Sequence, residues 1–385
     1  MFSRRTPAHM GENPIARATV RRGGDLLDLT LSNPTQAGLA YPGEKILSAL
    51  AKPEALLYEP DPRGRKAARE ALSRHLSAKG IPARADRMFL TASTSEAYSF
   101  LFKLLCDPGD EVLVPEPSYP LLEHLLELEG VRRVPYSLRL SDNWRIDFAS
   151  LEAALSPRTR AICVISPNNP TGNYLKTDER RRLAALARER GLALIADEVF
   201  FDYPLGERPA DAASLAGESG ALCFALGGIS KMLGLPQLKL GWILASGPPD
   251  ILPNALDRLE LVADTFLSAS APVQAGLMDL LALEAEIQGA IRGRTAANLA
   301  ALRDLCAGSS VHPLPAEGGW YAMIELPSHI EEEAFVLSLI EKDGVLVQPG
   351  FFFDCPQGRH VVASLLVPES QFRKGIQALV ARSHA

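Results

Sequence analysis

Continuous apolar runs alternate with segments of helical spacing through the middle of the chain. Residues 161–165, 192–196, 222–226 and 240–245 are apolar runs typical of buried strands. Between the first two runs, residues 177–190 place apolar residues at the spacing of one helix face. Strands separated by helices predict a mostly parallel central sheet with right-handed crossovers, flanked by helices.

The same patterns weaken toward both ends of the chain. Residues 1–44 are rich in Gly, Pro and Arg and are predicted to be irregular. We predict a large α/β domain over 45–280 and a smaller α+β domain built from 1–44 and 281–385. The other predicted elements are helices at 64–79, 94–106, 121–126, 253–307, 331–342 and 369–382, and strands at 111–114, 131–136, 320–326, 345–348 and 361–367.

Composition narrows the classes of function. The 385 residues carry 40 basic and 46 acidic side chains, and this net charge of −6 disfavours nucleic-acid binding. The five cysteines form no CxxC pair and the seven histidines show no metal spacing, so we expect no metal, no disulfides and a cytoplasmic location. No apolar run approaches the roughly 18 residues of a membrane span.

Three polar residues follow predicted strands, and ligands bind at the carboxyl ends of parallel strands. They are Asn169, Asp197 and Lys231. Alone, each fits a turn, a helix cap or a surface lysine. Together, an amide, an acid and a lysine at one sheet edge are what pyridoxal phosphate requires. Lysine supplies the amine nucleophile, and a buried carboxylate keeps the pyridine nitrogen protonated.

Two further features suit the same cofactor. Its phosphate favours hydroxyls and backbone N–H groups at a helix N-terminus, and Thr94 and Ser95 are predicted to begin and cap such a helix. Its ring favours an aromatic neighbour, and Tyr119 follows a predicted strand.

Seven motifs in order resemble one known family, from about residue 28 to 380. They are Tyr58-Glu59-Pro60-Asp61-Pro62-Arg63-Gly64, residues 92–97, residues 108–120, Ser166-Pro167-Asn168-Asn169-Pro170-Thr171-Gly172, residues 196–199, Ser230-Lys231-Met232-Leu233-Gly234-Leu235-Pro236 and Leu240-Gly241-Trp242. The chain resembles the class I/II aminotransferases, which are fold-type I pyridoxal phosphate enzymes.

The resemblance implies a role for each matching residue. Lys231 matches the lysine that forms the imine and shuttles the proton, Asp197 the pyridinium partner, Asn169 the donor to the ring hydroxylate, and Tyr119 the stacking aromatic. The implied phosphate-binding set is Ser93, Thr94, Ser95, Ser230 and Lys239. Tyr58 matches a tyrosine that reaches the phosphate from a second subunit, which implies a homodimer with shared sites.

Four positions depart from the family pattern. Phe200, still expected at the cofactor, replaces a tyrosine, so we expect a raised imine pKa. Gly228 replaces a phosphate-binding serine, and Lys239 replaces an arginine, which keeps the charge without the bidentate geometry. Val362 replaces the arginine that grips the substrate carboxylate. Either another cation such as Arg359 substitutes, or the substrate has no carboxylate there.

The resemblance implies ping-pong transfer of an amino group between an amino acid or amine and a 2-oxo acid. Because Phe200 and Val362 depart from the pattern, decarboxylation, elimination or oxidation with the same cofactor stays open. A non-catalytic regulator is disfavoured, because residues 1–44 are too short for a DNA-binding domain. The sequence does not identify the substrate.

Overall fold

A computed structural model describes residues 2–7, 11–24, 26–355 and 359–384. In chain order, the helices are α1 Pro14–Arg22, α2 Gly43–Leu50, α3 Lys66–Ala78, α4 Thr94–Leu105, α5 Leu121–Glu129, α6 Phe148–Ala153, α7 Thr177–Arg190, α8 Ile229–Met232, α9 Leu252–Phe266, α10 Ala271–Ala275, α11 Leu277–Leu281, α12 Glu284–Cys306, α13 Glu332–Ser338 and α14 Glu369–Arg382. The strands are β1 Leu27–Asp28, β2 Met88–Thr91, β3 Glu111–Glu116, β4 Arg132–Arg139, β5 Arg145–Ile146, β6 Thr159–Ile165, β7 Ala193–Asp197, β8 Cys223–Gly228, β9 Gly241–Ser246, β10 His312–Pro313, β11 Tyr321–Glu325, β12 Val345–Leu346, β13 Gln348–Pro349 and β14 His360–Ser364.

The large sheet has the strand order β2-β9-β8-β7-β6-β3-β4-β5. Strands β8, β7, β6, β3 and β4 are paired in parallel, which confirms the predicted α/β fold with a mostly parallel sheet. Every residue of β7 and β8 is buried, as their apolar runs predict. The carboxyl ends of these strands therefore meet at one edge of the sheet.

Three features of this sheet differ from the prediction. The two-residue strand β5, which pairs antiparallel with β4 at one edge, is not predicted from the sequence. Strand β9 runs antiparallel to β8, because the connection between them holds only the four-residue helix α8 and a short 3-10 turn instead of a full crossover helix. Strand β2 was not predicted, and it pairs antiparallel with β9 at the sheet edge. Its four residues are too short a run to show a clear period.

A second, four-stranded antiparallel sheet has the order β10-β11-β14-β13. Strand β1 pairs with β12, so the N-terminal segment joins the C-terminal part of the chain. The predicted strand 345–348 is wrong, because it is split between two sheets. The domain boundaries at 45 and 280 stay a prediction.

The prediction that residues 1–44 are irregular is wrong. They contain the nine-residue helix α1, the strand β1 and the start of α2. The side chain of Asn13 caps α1 by accepting a hydrogen bond from the backbone N–H of Ala16 at 2.7 Å. Only Ile15 and Ala18 of α1 are buried, so its apolar face is too narrow to give a clear helical pattern in this arginine-rich segment.

Within the described ranges, which lack 1, 8–10, 25, 356–358 and 385, no helix has both the length and the hydropathy to cross a membrane.

Gly276, between α10 and α11, packs against the end of α2. A Cβ atom at this position would lie 2.2 Å from the Ala49 carbonyl oxygen. Gly276→Ala is therefore expected to destabilise the fold by about 1–3 kcal/mol, because backbone must move to admit the methyl group. Urea unfolding checks this. Gly289→Ala in α12 is the control, since no atom lies within 4 Å of its added methyl and a gain of about 1 kcal/mol is expected.

Candidate active site

The polar residues predicted at the strand ends lie along one edge of the large sheet. Asp197 is the last residue of β7, and its carbonyl accepts a hydrogen bond from the Ser166 N–H, just after β6, at 2.9 Å. Asn169 lies in the turn after β6, and Lys231 lies in α8 directly after β8. The parallel pairing of β6, β7 and β8 thus brings the amide, the acid and the lysine to the same edge.

Asp197 is buried, with 4% of its surface exposed. Its Oδ1 accepts a hydrogen bond from the Val199 N–H at 3.2 Å, and its Oδ2 accepts one from the Tyr98 hydroxyl at 3.3 Å. Burial raises the pKa of Asp197 to about 6, although both hydrogen bonds and the charge of Lys231 oppose this shift. The Asp197 carboxylate can therefore stabilise a positively charged group that binds next to it.

Lys231 lies among aromatic rings. Its Nζ is 4.8 Å from the ring centroid of Trp320 and 5.3 Å from that of Phe200. Burial lowers the pKa of Lys231 to about 8, with the charge of Asp197 opposing the shift. The hydroxyl of Tyr203 donates a hydrogen bond to the Lys231 carbonyl at 2.7 Å, which fixes the backbone. A substantial fraction of this amine is therefore neutral, and so nucleophilic, near neutral pH.

Helix α4 begins at the predicted phosphate-binding turn. Ser93, rather than the predicted Thr94 or Ser95, caps it: the Ser93 backbone is extended, and its Oγ accepts the Glu96 N–H at 3.2 Å. The backbone N–H groups of Thr94 and Ser95 lie in the first turn, where the helix dipole favours an anion. A Cβ at Gly241 would lie 3.1 Å from the Thr94 nitrogen, so β9 packs closely against this turn.

The remaining predicted residues surround these groups. Tyr119 packs in the same hydrophobic cluster as Tyr98, and the charge of Asp197 helps to raise the pKa of the Tyr119 hydroxyl. Phe200 packs edge-on against Trp320, with ring centroids 5.2 Å apart. Nine of the predicted residues lie around α4, α8 and the ends of β6 and β7. They are Ser93, Thr94, Ser95, Tyr119, Asn169, Asp197, Phe200, Ser230 and Lys231.

Two predicted residues lie outside this group. Lys239 is exposed and two residues before Gly241, which packs on the Ser93 turn. Tyr58 is 80% exposed and lines a surface cavity of about 250 Å³ together with the segment from Leu267 to Ala271. This location leaves Tyr58 open to a second molecule.

A sequence model of the family "Aminotransferase class I and II" matches residues 24–379. This chain belongs to that family. An alanine aminotransferase of Mycobacterium tuberculosis is 29% identical over 355 residues, covering 88% of this chain and 81% of the relative. A glutamate-pyruvate aminotransferase of Escherichia coli is 27% identical over 267 residues, covering 69% and 66%. The solved structure of an alanine aminotransferase from Pyrococcus furiosus is 23% identical, with a TM-score of 0.88 over the whole of both chains, and shows the same fold.

The aminotransferase has an apolar surface where its family places the substrate-binding arginine. Val362 is fully buried in β14, beside Met323 of β11. Its side chain belongs to the same hydrophobic cluster as Phe200 and Trp320, whereas its neighbours Val361 and Ala363 belong to the core on the other face of the strand. Position 362 therefore faces the lysine side of the sheet, as the resemblance implies.

Arg359, the other cation considered for the substrate carboxylate, lies at the end of the β11–β14 pair that is remote from Trp320. The Leu365 N–H bonds to the Trp320 carbonyl at one end of the β11–β14 pair, and the Leu326 N–H bonds to the Arg359 carbonyl at the other end. Six residues of strand separate the ends, or roughly 20 Å. The Arg359 guanidinium donates to the Ser328 carbonyl at 3.2 Å.

Sequence reasoning missed three residues of the aminotransferase site. Tyr98 and Trp320 were assigned to a helix face and a strand, and Tyr203 was not singled out. All three are almost fully buried. A tyrosine at a core position of a helix is itself a signal, because its buried hydroxyl needs a partner. That signal does not identify the partner, which only the packing of α4 against β7 determines.

The site fits the cofactor that the resemblance implies. Asn169 Oδ1 is buried and has no hydrogen-bond partner among the described residues. Rotation of the amide by 180° exchanges Oδ1 and Nδ2, so this position can present an N–H donor to a ring hydroxylate. The same site contains an acid that suits a ring nitrogen, a lysine that suits an aldehyde and a helix N-terminus that suits a phosphate. The set of donors and acceptors suits pyridoxal phosphate.

Proposed function

We propose that this aminotransferase binds pyridoxal phosphate covalently through Lys231. It then moves an amino group between an amino acid or amine and a 2-oxo acid by a ping-pong mechanism. The observation that carries the proposal is the placement of Lys231 and Asp197 at adjacent strand ends, close enough for the charge of each to shift the pKa of the other. The named relatives are all aminotransferases, so decarboxylation, elimination and oxidation are not favoured.

When bound, the cofactor supplies an electron sink for bond cleavage at the substrate α-carbon. The protein supplies the rest. Asp197 holds a proton on the ring nitrogen, and the Asn169 amide bonds the ring hydroxylate. Ser93, Thr94, Ser95, Ser230 and Lys239 hold the phosphate. The Lys231 amine would accept the α-carbon proton and pass it to the cofactor carbon that carries the aldehyde, which is general acid–base catalysis by a group of matched pKa.

A second copy of the chain completes the proposed site. Tyr58 is exposed beside a cavity, and its neighbours Leu56 and Leu57 are 88% and 59% exposed. On α9, Leu261 and Phe266 are 70% and 50% exposed. Exposed apolar side chains mark an interface where they form a continuous patch. They support a homodimer in which Tyr58 reaches the phosphate of the other subunit.

The proposed compartment is the cytoplasm, where thiols stay reduced. All five cysteines are free in the structure, and four of them are buried.

Amino donors are the substrates to test first. The relatives named above act on alanine, or on glutamate and pyruvate, so alanine with 2-oxoglutarate and glutamate with pyruvate start the panel. Amines without a carboxylate follow, because Val362 offers no charge to bind one. Each donor is added to the holoenzyme, and conversion to the pyridoxamine form is followed by absorbance. If no donor converts the cofactor, the proposed transamination is wrong.

Cofactor capture is expected to depend on pH. The Lys231 amine reacts only when neutral, and burial lowers its pKa from the usual 10.5 to about 8. The rate at which the apo protein binds pyridoxal phosphate should therefore rise with pH, with a midpoint near 8. Stopped-flow absorbance measures this rate. A midpoint near 10.5 would show that the environment of Lys231 does not shift its pKa.

A further inference from the structure

Tyr98 connects helix α4 to the acid of the proposed cofactor site. It lies four residues after Thr94 and is fully buried. Its hydroxyl donates to Asp197 Oδ2 at 3.3 Å. The family resemblance assigns no role to this residue. Its hydroxyl nevertheless contacts the acid, and its ring packs in the same hydrophobic cluster as Tyr119, the aromatic residue assigned to the cofactor ring.

The Tyr98 bond comes from outside the strand that carries Asp197. The other hydrogen bond to Asp197 is the Val199 N–H, which belongs to the turn directly after β7. Among the other titratable groups nearby, Lys231 acts on Asp197 through its charge, while the charge of Asp197 raises the pKa values of Tyr119, Cys163 and Glu198. Tyr98 is therefore the side chain that ties this carboxylate to a second element of the fold.

One helix then serves both ends of the cofactor. The N-terminus of α4 forms the predicted phosphate-binding turn at Ser93, Thr94 and Ser95, and Tyr98 follows one turn later. At 1.5 Å per residue, the four residues from Thr94 to Tyr98 span about 6 Å. Because an α-helix is rigid over this length, α4 fixes the distance between the anion-binding turn and the partner of Asp197.

We propose that Tyr98 is a positioning residue, which holds Oδ2 of Asp197 in place and keeps this carboxylate ionised beside the ring nitrogen of the cofactor. The assignment rests on the proposed function. A hydrogen bond to the charged form of an acid favours that form, while burial opposes it. Without the Tyr98 hydroxyl, one interaction that lowers the pKa of Asp197 is lost and burial raises this pKa further. Asp197 then takes up a proton at a higher pH and stabilises the positive ring nitrogen less well.

The test compares Tyr98→Phe with Tyr136→Phe. Tyr136 is also fully buried, and its hydroxyl donates to the Cys163 carbonyl at 2.8 Å, so the control loses a buried hydroxyl without touching Asp197. Pyridoxal phosphate is titrated into each apo protein. The Tyr98→Phe dissociation constant is expected to rise roughly 10-fold or more, as for a lost hydrogen bond to a charged group. Tyr136→Phe should bind as the wild type does.

A second readout is the pH midpoint of the visible absorbance of the bound cofactor. It should move to higher pH in Tyr98→Phe, because a less positive ring nitrogen repels the proton on the Lys231 nitrogen less strongly. In the Asp197→Asn background, Tyr98→Phe should add no further shift, since the residue acts through Asp197. A purely structural role would give the same loss in both backgrounds and would leave the midpoint unchanged.

The outcomes separate the two proposals. If the wild type does not bind pyridoxal phosphate, the proposed function is wrong and the role of Tyr98 is overturned with it. If the wild type binds and Tyr98→Phe matches Tyr136→Phe in both readouts, only the role of Tyr98 is overturned.

Discussion

Lys231→Ala is expected to abolish turnover, with kcat lower by at least about 10⁴-fold, because one side chain provides both the amine for the cofactor and the base for proton transfer. The rings of Phe200 and Trp320 lie 5.3 and 4.8 Å from Lys231 Nζ, so the surroundings of this amine described by the structure are aromatic. The variant should bind pyridoxal phosphate only non-covalently. Borohydride reduction, which fixes the cofactor on the wild type, should leave none attached after denaturation.

Two control variants accompany the Lys231 measurement. Lys231→Arg keeps the positive charge near Asp197 but lacks the nucleophilic amine, so it should fold and stay inactive. Lys374→Ala removes an exposed lysine of α14 and should keep wild-type activity. Transamination by Lys231→Ala at the wild-type rate would overturn the proposed mechanism.

The sequence predicts the central layer of this fold well, because each buried strand there contains a continuous apolar run. The runs 161–165 and 192–196 fall within one or two residues of β6 and β7, and helix α7 has the predicted bounds 177–190. The sequence does not predict the features that depend on pairing between strands from distant parts of the chain. The direction of β9 depends on how briefly the chain turns after β8, and the split of 345–348 depends on which sheet each residue meets.

The candidate site shows the same division. Asn169, Asp197 and Lys231 follow apolar runs, so the rule for strand ends in parallel sheets located them from sequence. Tyr98 and Trp320 lie at apolar positions of their own elements, and only the packing of those elements brings them to Asp197 and Lys231. Local patterns identify groups that perform chemistry, but the residues that support these groups across the core become visible only in three dimensions.

Val362, which replaces the arginine of the family pattern, affects which substrates the site can bind. The valine is fully buried, and the hydrophobic core to which it belongs also contains Phe200 and Trp320. A substrate carboxylate next to this apolar position would lose hydration without gaining a charged partner. The panel of amino donors therefore includes amines without a carboxylate and donors with apolar groups.

Asp197→Asn is expected to lower kcat/KM by about 10²–10³-fold, because the amide cannot hold a proton on the ring nitrogen and removing one partner of a buried charge pair is strongly unfavourable. The acidic limb of the pH profile should change as well. Burial raises the pKa of Asp197 to about 6, so wild-type kcat/KM should fall as the carboxylate becomes protonated below that pH. Asparagine does not titrate, so the variant should lose this limb.

The control for Asp197→Asn is Asp110→Asn, which removes another buried carboxylate of the large sheet region. Asp110 is 8% exposed and pairs with Arg160 at 3.0 Å, before β3 and remote from the strand ends that carry the site. Its loss should reduce stability while leaving kcat/KM and the acidic limb as in the wild type. If both variants keep wild-type kcat/KM and the same acidic limb, Asp197 does not support the ring nitrogen. If Asp197→Asn alone loses the limb, the carboxylate at the end of β7 is the titrating group, since Asp110 has the same chemistry at the opposite end of the sheet.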